Sequence, residues 1–411
     1  MTVEVRPLGD KCNIQCSYCY QEGIRTAGNL PSRYDVDAIL ATLDRIGERF
    51  SLFGGEIMMV RDADLERLLA HGLERHGGTG MQTNGTLVEE RHLALFRDHA
   101  VRVGVSIDGP GPLNDARDAG NEAATRRATA RTEALVETLA RAGMPPTVIV
   151  TLHRLNAGPG RIELLADWLR FLDGLGIPRA RLHVLEADTE AARDALGFTV
   201  EEGLAVMRRL RALEPEFRQL RFDVFAEMAA MLRGDDVEAS CVFHACDSLA
   251  TQAVTGVEGD GRLTNCGRTN KDGIGYLKAE GRGYERQQAL YRTDWADGGC
   301  RGCRFFLMCK GNCPGTAIDG DWRLRTADCR LWYGLFEDLE AEMAAAGETP
   351  LSLSPHRPAI ERAMLEAWAE GLNPALAALR DRIAAEAEAE AEAAAPDGAE
   401  RPALADAGTG R

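Results

Sequence analysis

The chain has 411 residues, 45% of them hydrophobic, enough to bury one large core and a second, smaller one. Its 64 acidic side chains against 48 basic ones give a net charge of -16, and no cluster of Lys and Arg interrupts that excess, which argues against a surface for a phosphate backbone and hence against a nucleic-acid partner. No run of about 18 apolar residues occurs, and "MTVEVRPLGD" lacks a basic stretch followed by an apolar one, so neither a membrane span nor a secretory signal is expected and the protein reads as cytoplasmic.

Taken in chain order, "TVEVRPL" is a strand that leads into a loop holding Cys12, Cys16 and Cys19. "DVDAILATLDRIGER" follows as a helix with Val36, Ile39, Leu40, Leu43 and Ile46 on one face. "FSLF" is a second strand, and "DADLERLLAHGLER" a helix with Leu65, Leu68, Leu69 and Leu73 together. "GMQTN", "VRVGVSID", "PTVIVTL" and "RLHVLEA" supply four more strands, with helices near 88–98, 123–142, 161–174 and 199–213. Six βα units in series predict an α/β fold with a parallel sheet, a partial (β/α)6 barrel or an open sheet. Working residues in such folds sit at the C-terminal ends of the strands. The cysteine loop, "FGGE", "QTNGT", "SIDGP" and "HRLN" all fall there.

The eleven cysteines form two groups, the first three and then Cys241, Cys246, Cys266, Cys300, Cys303, Cys309, Cys313 and Cys329. An odd number cannot all pair as disulfides, and in a reducing compartment metal ligation is the better reading. Thiolates are the usual ligands of a 4Fe-4S cluster, and three of them leave one iron open. A partial zinc site for the first group and zinc knuckles for the second are the alternatives.

With these residues in view, the chain resembles the radical S-adenosylmethionine enzymes, whose signature is C-x3-C-x2-C followed by an aromatic residue, here Tyr20. The resemblance implies that Cys12, Cys16 and Cys19 hold a cluster whose open iron binds S-adenosylmethionine. It implies that Gly54, Gly55 and Glu56 hold the methionyl amine, although Ile57 stands where proline is usual. Gln82 and Asn84 would line the cavity, and Ser106 would meet the cofactor carboxylate. Arg117, Arg126 and Arg127 are all open as its partner. The second group resembles a SPASM extension, which implies two auxiliary 4Fe-4S clusters, one on Cys241, Cys246, Cys266 and Cys313 and one on Cys300, Cys303, Cys309 and Cys329. His244 is a further possible ligand, with a loop role as its alternative.

With three clusters so assigned, no thiol is left over. That weighs against radical epimerisation and methyl transfer and favours net oxidation, with the surplus electron leaving through the auxiliary clusters. The resemblance implies a peptide or protein substrate, and the expected product is a thioether or carbon-carbon side-chain cross-link in a ribosomally made peptide. A dehydrogenase of a protein side chain, as in sulfatase maturation, or of a small molecule is the alternative. Sulfatase maturases carry an aspartate base just after the cysteine that Cys266 matches, and this chain has Gly267 there. His153, His183, Glu186 and Asp188, near the ends of strands five and six, are candidate bases. An electron donor such as flavodoxin or ferredoxin is expected. With the cysteine loop starting at residue 12, a leader-gripping module in front of it has no room, so a separate leader-binding protein or the catalytic chain itself would do that work.

The expected domains are a partial barrel at 1–215, a bridging helix and SPASM domain at 216–345, C-terminal helices at 346–395 and a disordered tail at 396–411.

Overall fold

The computed structural model describes residues 2–28, 33–187, 189–237, 239–251, 253–269, 277–281 and 283–394; the expectations for Asp188 and for the tail lie outside these residues. Six strands run parallel in chain order: β1 (Thr2–Arg6), β2 (Phe50–Leu52), β3 (Gly80–Thr83), β4 (Arg102–Ser106), β5 (Thr147–Leu152) and β6 (Arg179–Val184). Helices cross between them, including Val36–Ile46, Asp62–His76, Glu90–Asp98, Glu122–Arg141 and Ile162–Gly174, and Val200–Leu213 follows β6. Each of these coincides with a periodic segment of the sequence. Local chemistry fixes several ends: the Asp35 side chain accepts from the Asp37 and Ala38 amides, Gly47 ends that helix at φ 70, and Thr199 and Glu202 form a capping box.

The sheet goes further than six strands. β7 (Arg221–Phe222) extends it beyond β6, while β8 (Val254–Glu258) pairs in parallel with β1 and carries β9 (Leu263–Thr264) antiparallel beyond it. The cysteine-rich half is therefore stitched to the first strand across the expected 215/216 boundary. Arg6 makes the seam polar: its Nη2 donates to Glu258 at 2.6 Å, Thr264 Oγ1 at 2.7 Å and the Asn265 carbonyl at 2.7 Å. A Cβ on Gly256 would lie 2.4 Å from that same Nη2, so only glycine lets the guanidinium through.

Strand alternation separates two faces. Val3, Val5, Leu52, Met81, Val103, Val105, Val148, Val150 and Leu182 are buried under the helices. Glu4, Ser51, Gln82, Ser106, Thr151 and His183 point the other way and stay accessible. A parallel sheet is ordinarily apolar on both faces, so this polar, open inner face marks where ligands go. In the C-terminal part Arg357–Ala369 and Leu376–Ala394 form two helices, and Trp368 packs on Tyr284 and Phe306. Among the described residues no helix is long and apolar enough to cross a membrane.

Candidate functional site

The first cysteine loop leaves β1 and is gripped from two sides by backbone hydrogen bonds. Gly55 N–H donates to the Gly9 carbonyl at 3.0 Å and Glu56 N–H to Lys11 at 2.9 Å; opposite them, Gln15 N–H reaches Asp118 at 2.7 Å and Ser17 N–H reaches Ala116 at 2.8 Å. The glycines explain the first grip. Gly54 has φ 129, and a Cβ on Gly55 would sit 2.2 Å from the Lys11 oxygen. Gly55→Ala is therefore expected to push the loop off the end of β2, and anaerobically reconstituted protein should lose about four irons, the first centre, while keeping its helical circular dichroism.

Glu56 is buried and already committed. Its carboxylate accepts from Met58 N at 3.0 Å, Thr83 Oγ1 at 2.7 Å and Asn84 N at 2.7 Å, so it locks the loop after β2 to the loop after β3. Asn84 continues the brace, with Nδ2 donating to Asn13 Oδ1 at 2.9 Å and lying 3.8 Å from Cys12 Sγ. Gln82 Nε2 donates to Ser106 Oγ at 2.7 Å across β4, and the path exists because a Cβ on Gly104 would collide with Gln82 Oε1 at 2.2 Å. Gly55, Glu56 and Asn84 thus brace the loop that carries the three thiols, while Gln82 and Ser106 pair with each other on the neighbouring strands. Burial raises the Cys16 thiol to about 12, against the opposing pull of Arg117, and burial raises Cys12 as well. Thiols so placed become thiolates readily only with a metal to take the charge.

The three arginines are placed differently. Arg126 is held by Asp115 through two bonds of 2.6 and 2.7 Å, and Arg127 is exposed. Arg117 lies beside Cys16, with Nε 3.2 Å from Asp108 Oδ2 and its guanidinium 5.9 Å from the centre of the Tyr18 ring. Asp108 is wholly buried. Its Oδ2 also accepts from the Tyr18 hydroxyl and stands 3.6 Å from His153 Nε2, and its Oδ1 accepts from Thr151 N at 2.9 Å. Burial alone would raise this carboxyl; Arg117, with His153 and Tyr18, outweighs that and holds it below its ordinary 3.8. Asp108 and Tyr18 were passed over in the sequence. The signal was present, an aromatic inside the cysteine run and an acid inside "SIDGP".

Tyr20 faces the other way. The Arg268 guanidinium lies 4.9 Å from the centre of its ring, Arg268 N–H approaches Cys266 Sγ at 3.4 Å, and the arginine pairs with Glu186 at 2.6 Å. Tyr20 therefore links the first cysteine loop to Cys266 of the second group. That group divides in space as well. Cys241, Cys246, Cys266 and Cys313 are mutual electrostatic neighbours. Cys300, Cys303, Cys309 and Cys329 line one apolar cavity with Trp295, Phe305, Phe306, Tyr333 and Phe336. Burial raises Cys313 and Cys329 to about 11 and Cys300 to about 12. Among the described residues no three His, Cys, Asp or Glu side chains close on a single-ion site. Two half-buried, all-thiol quartets instead have the donor set of an iron-sulfur core, which is larger than one ion. His244 bonds the Ala239 carbonyl at 2.9 Å, within its own loop.

The candidate bases separate clearly. His153 is fully buried behind Tyr18, and Glu186 is taken by Arg268. His183 opens onto the inner face of β6. Gly267 has no space for a side chain, since a Cβ there would meet Arg6 Nη1 at 2.7 Å.

Residues 7–169, which hold the cysteine loop and strands β2 to β5, match the Radical SAM superfamily. The chain is 32% identical over 128 residues to a serine-type anaerobic sulfatase-maturating enzyme of Bacteroides thetaiotaomicron, a match covering 28% of this chain and 30% of that enzyme. In fold it is similar to native anSMEcpe with bound AdoMet and Cp18Cys peptide (TM-score 0.61, 14% identity, 83% of this chain and 96% of that one). It is also similar in fold to Streptococcus suis SuiB bound to S-adenosylmethionine (TM-score 0.55, 14% identity, 80% of this chain and 76% of that one).

Proposed function

We propose that the radical SAM domain at residues 7–169 belongs to an oxidative maturase of a ribosomally made peptide, which it modifies by a thioether or carbon-carbon side-chain cross-link. The observation that carries this reading is the continuous placement of three cysteine sites. The first loop opens onto the polar face of the sheet, and Tyr20 and Arg268 join it to the first quartet. Peptide-bound anSMEcpe has the same fold, which supports a peptide on that face. Bound at Cys12, Cys16 and Cys19, a 4Fe-4S centre with S-adenosylmethionine supplies a 5'-deoxyadenosyl radical that takes a hydrogen atom from the substrate.

The chain's own residues do the rest. The Gly54–Gly55–Glu56 segment holds the loop, Arg117 and Ser106 offer donors to the cofactor carboxylate, and the aromatic shell around the second quartet keeps water out. Both quartets use all their thiols as ligands and so serve electron removal. Reduction of the first centre falls to an external donor of the flavodoxin or ferredoxin type, and leader binding to a separate protein or to this chain. A base of the sulfatase-maturase kind is disfavoured because Arg6 fills the space beside Gly267.

His183 is the proposed proton acceptor. It faces Arg181 on its own strand, Asp223 at the start of the helix Asp223–Leu232, and Glu186 and Arg268 on neighbouring loops. Although its residue opens onto the inner face, the protein packed around the ring desolvates it and lowers it below its ordinary 6.5 despite the opposing pull of Glu186, so it is neutral at pH 7. Product formation should therefore fall only in acid, below pH 6.5, as the imidazole gains its proton. His183→Gln should slow it by about 10²–10⁴-fold and remove that acid limb, with 5'-deoxyadenosine still formed. An acid limb that persists in the variant would rule His183 out.

The reading as a whole is tested by anaerobic co-expression with short peptides encoded beside the gene, followed by mass spectrometry. Loss of about two hydrogen masses per cross-link is expected. Unchanged peptide alongside abundant 5'-deoxyadenosine would count against it.

A further inference from the structure

We infer that Arg286 is the shared counter-ion of the two auxiliary centres, a single buried guanidinium whose charge is balanced when both cysteine quartets carry anionic clusters. The inference rests on the two-cluster reading proposed above. Arg286 sits on the helix Glu285–Arg292 and is 2% exposed. All five of its N–H groups are used on main-chain carbonyls: Nε on Trp322 at 2.7 Å, Nη1 on Cys246 at 2.9 Å and Asn312 at 3.1 Å, Nη2 on Gly311 at 3.4 Å and Leu324 at 2.9 Å. Its hydrogen bonds are therefore satisfied and its charge is not.

Among the described residues no carboxylate pairs with it. The acid groups near enough to act on its charge are the thiols of Cys246 and Cys313 in the first quartet and of Cys300 and Cys309 in the second. A buried charge without an opposite one is costly, and main-chain dipoles compensate it only in part. Four thiolates outweigh the positive charge of an iron-sulfur core, so a loaded quartet on each side supplies the missing anions. The carbonyls it holds fix its position. Cys246 is a first-quartet thiol, and Gly311 with Asn312 forms the link along which the chain passes from Cys309 of the second quartet to Cys313 of the first.

The other cations near the thiols serve one quartet each. Arg325 lies over Trp295 beside Cys300 and Cys329, Lys310 neighbours Cys309, Lys278 neighbours Cys246 and Cys266, and Arg268 has Glu186 as its partner. Arg286 alone among these faces both. Because the potential of an iron-sulfur centre follows the net charge around it, loss of this cation should make both auxiliary centres harder to reduce, together and in the same direction.

The test is an iron count and an EPR-monitored redox titration of the full chain, reconstituted anaerobically and without substrate, for wild type, Arg286→Gln and Arg286→Lys. Glutamine should shift both auxiliary potentials to more negative values, and lysine should leave both close to wild type. If glutamine loses both auxiliary clusters while lysine keeps them, the charge is again shown to be what matters. Unchanged potentials in a fully loaded glutamine variant, or a shift of one centre only, would overturn the counter-ion. Loss of both clusters with lysine as well as glutamine would also overturn it, in favour of a carbonyl clamp. A wild type that binds only about four irons would fail the two-cluster reading itself, and with it the inference.

Discussion

Cys16→Ala should abolish 5'-deoxyadenosine formation while leaving most of the iron in place. The first loop is held by Gly55, Glu56, Ala116 and Asp118 through backbone hydrogen bonds, and none of the cysteines of the second group is among those partners. Losing one of three thiolates leaves the first centre with too few ligands, whereas the quartets keep all of theirs. Reconstituted variant should thus retain about eight of about twelve irons and show no cleavage of S-adenosylmethionine under strong reductant. Cys309→Ala should do the reverse, because its thiol lies in the apolar cavity of the second quartet. It should lose about four irons, continue to release 5'-deoxyadenosine, and fail to complete the oxidation. Product formation at the wild-type rate in the Cys309 variant would remove the electron-exit role from the quartets. Turnover in the Cys16 variant would remove the radical reading altogether.

What could be seen in the sequence follows the range of the forces involved. The helices Asp62–His76 and Ile162–Gly174 and the strands β3 to β6 were readable because their apolar periods are local. The three-cysteine loop and its companions were readable because each lies where a strand ends. The β1–β8 pairing was not, since it joins residues some 250 positions apart through Arg6 and Glu258, and no local pattern announces such a partner. β7, two residues long, gives no periodic signal at all. Arg286 and Gln287 look like the solvent side of the polar helix "ERQQALYR", yet both are buried, because the carbonyls of the cysteine segments need donors there. Glu56 is the subtler case. Its motif pointed to the cofactor amine, while three of its hydrogen bonds show it first of all bracing the loops that form the site.

The largest stability effect outside the cysteines should come from Asp108→Asn. The carboxylate is wholly buried and is the ion-pair partner of Arg117, itself 10% exposed, among the described residues, so the change strands a buried guanidinium and withdraws an acceptor from the Tyr18 hydroxyl. Breaking one side of such a pair costs about 3–5 kcal/mol, readable as a lower urea midpoint in the cluster-free protein. Combining it with Arg117→Met removes the stranded charge and should recover part of that loss, which a purely steric defect at Asp108 would not. Acid supplies an independent sign. A carboxyl held below its ordinary 3.8 stabilises the fold above that value and loses this contribution as the pH falls through the folded value. Wild type should therefore lose stability below about pH 4 more steeply than the asparagine variant does. Because the same carboxylate holds Arg117 beside Cys16, the variant should also release 5'-deoxyadenosine more slowly at a given S-adenosylmethionine concentration. If stability and release are both unchanged, the Asp108 cluster neither supports the fold nor positions the arginine.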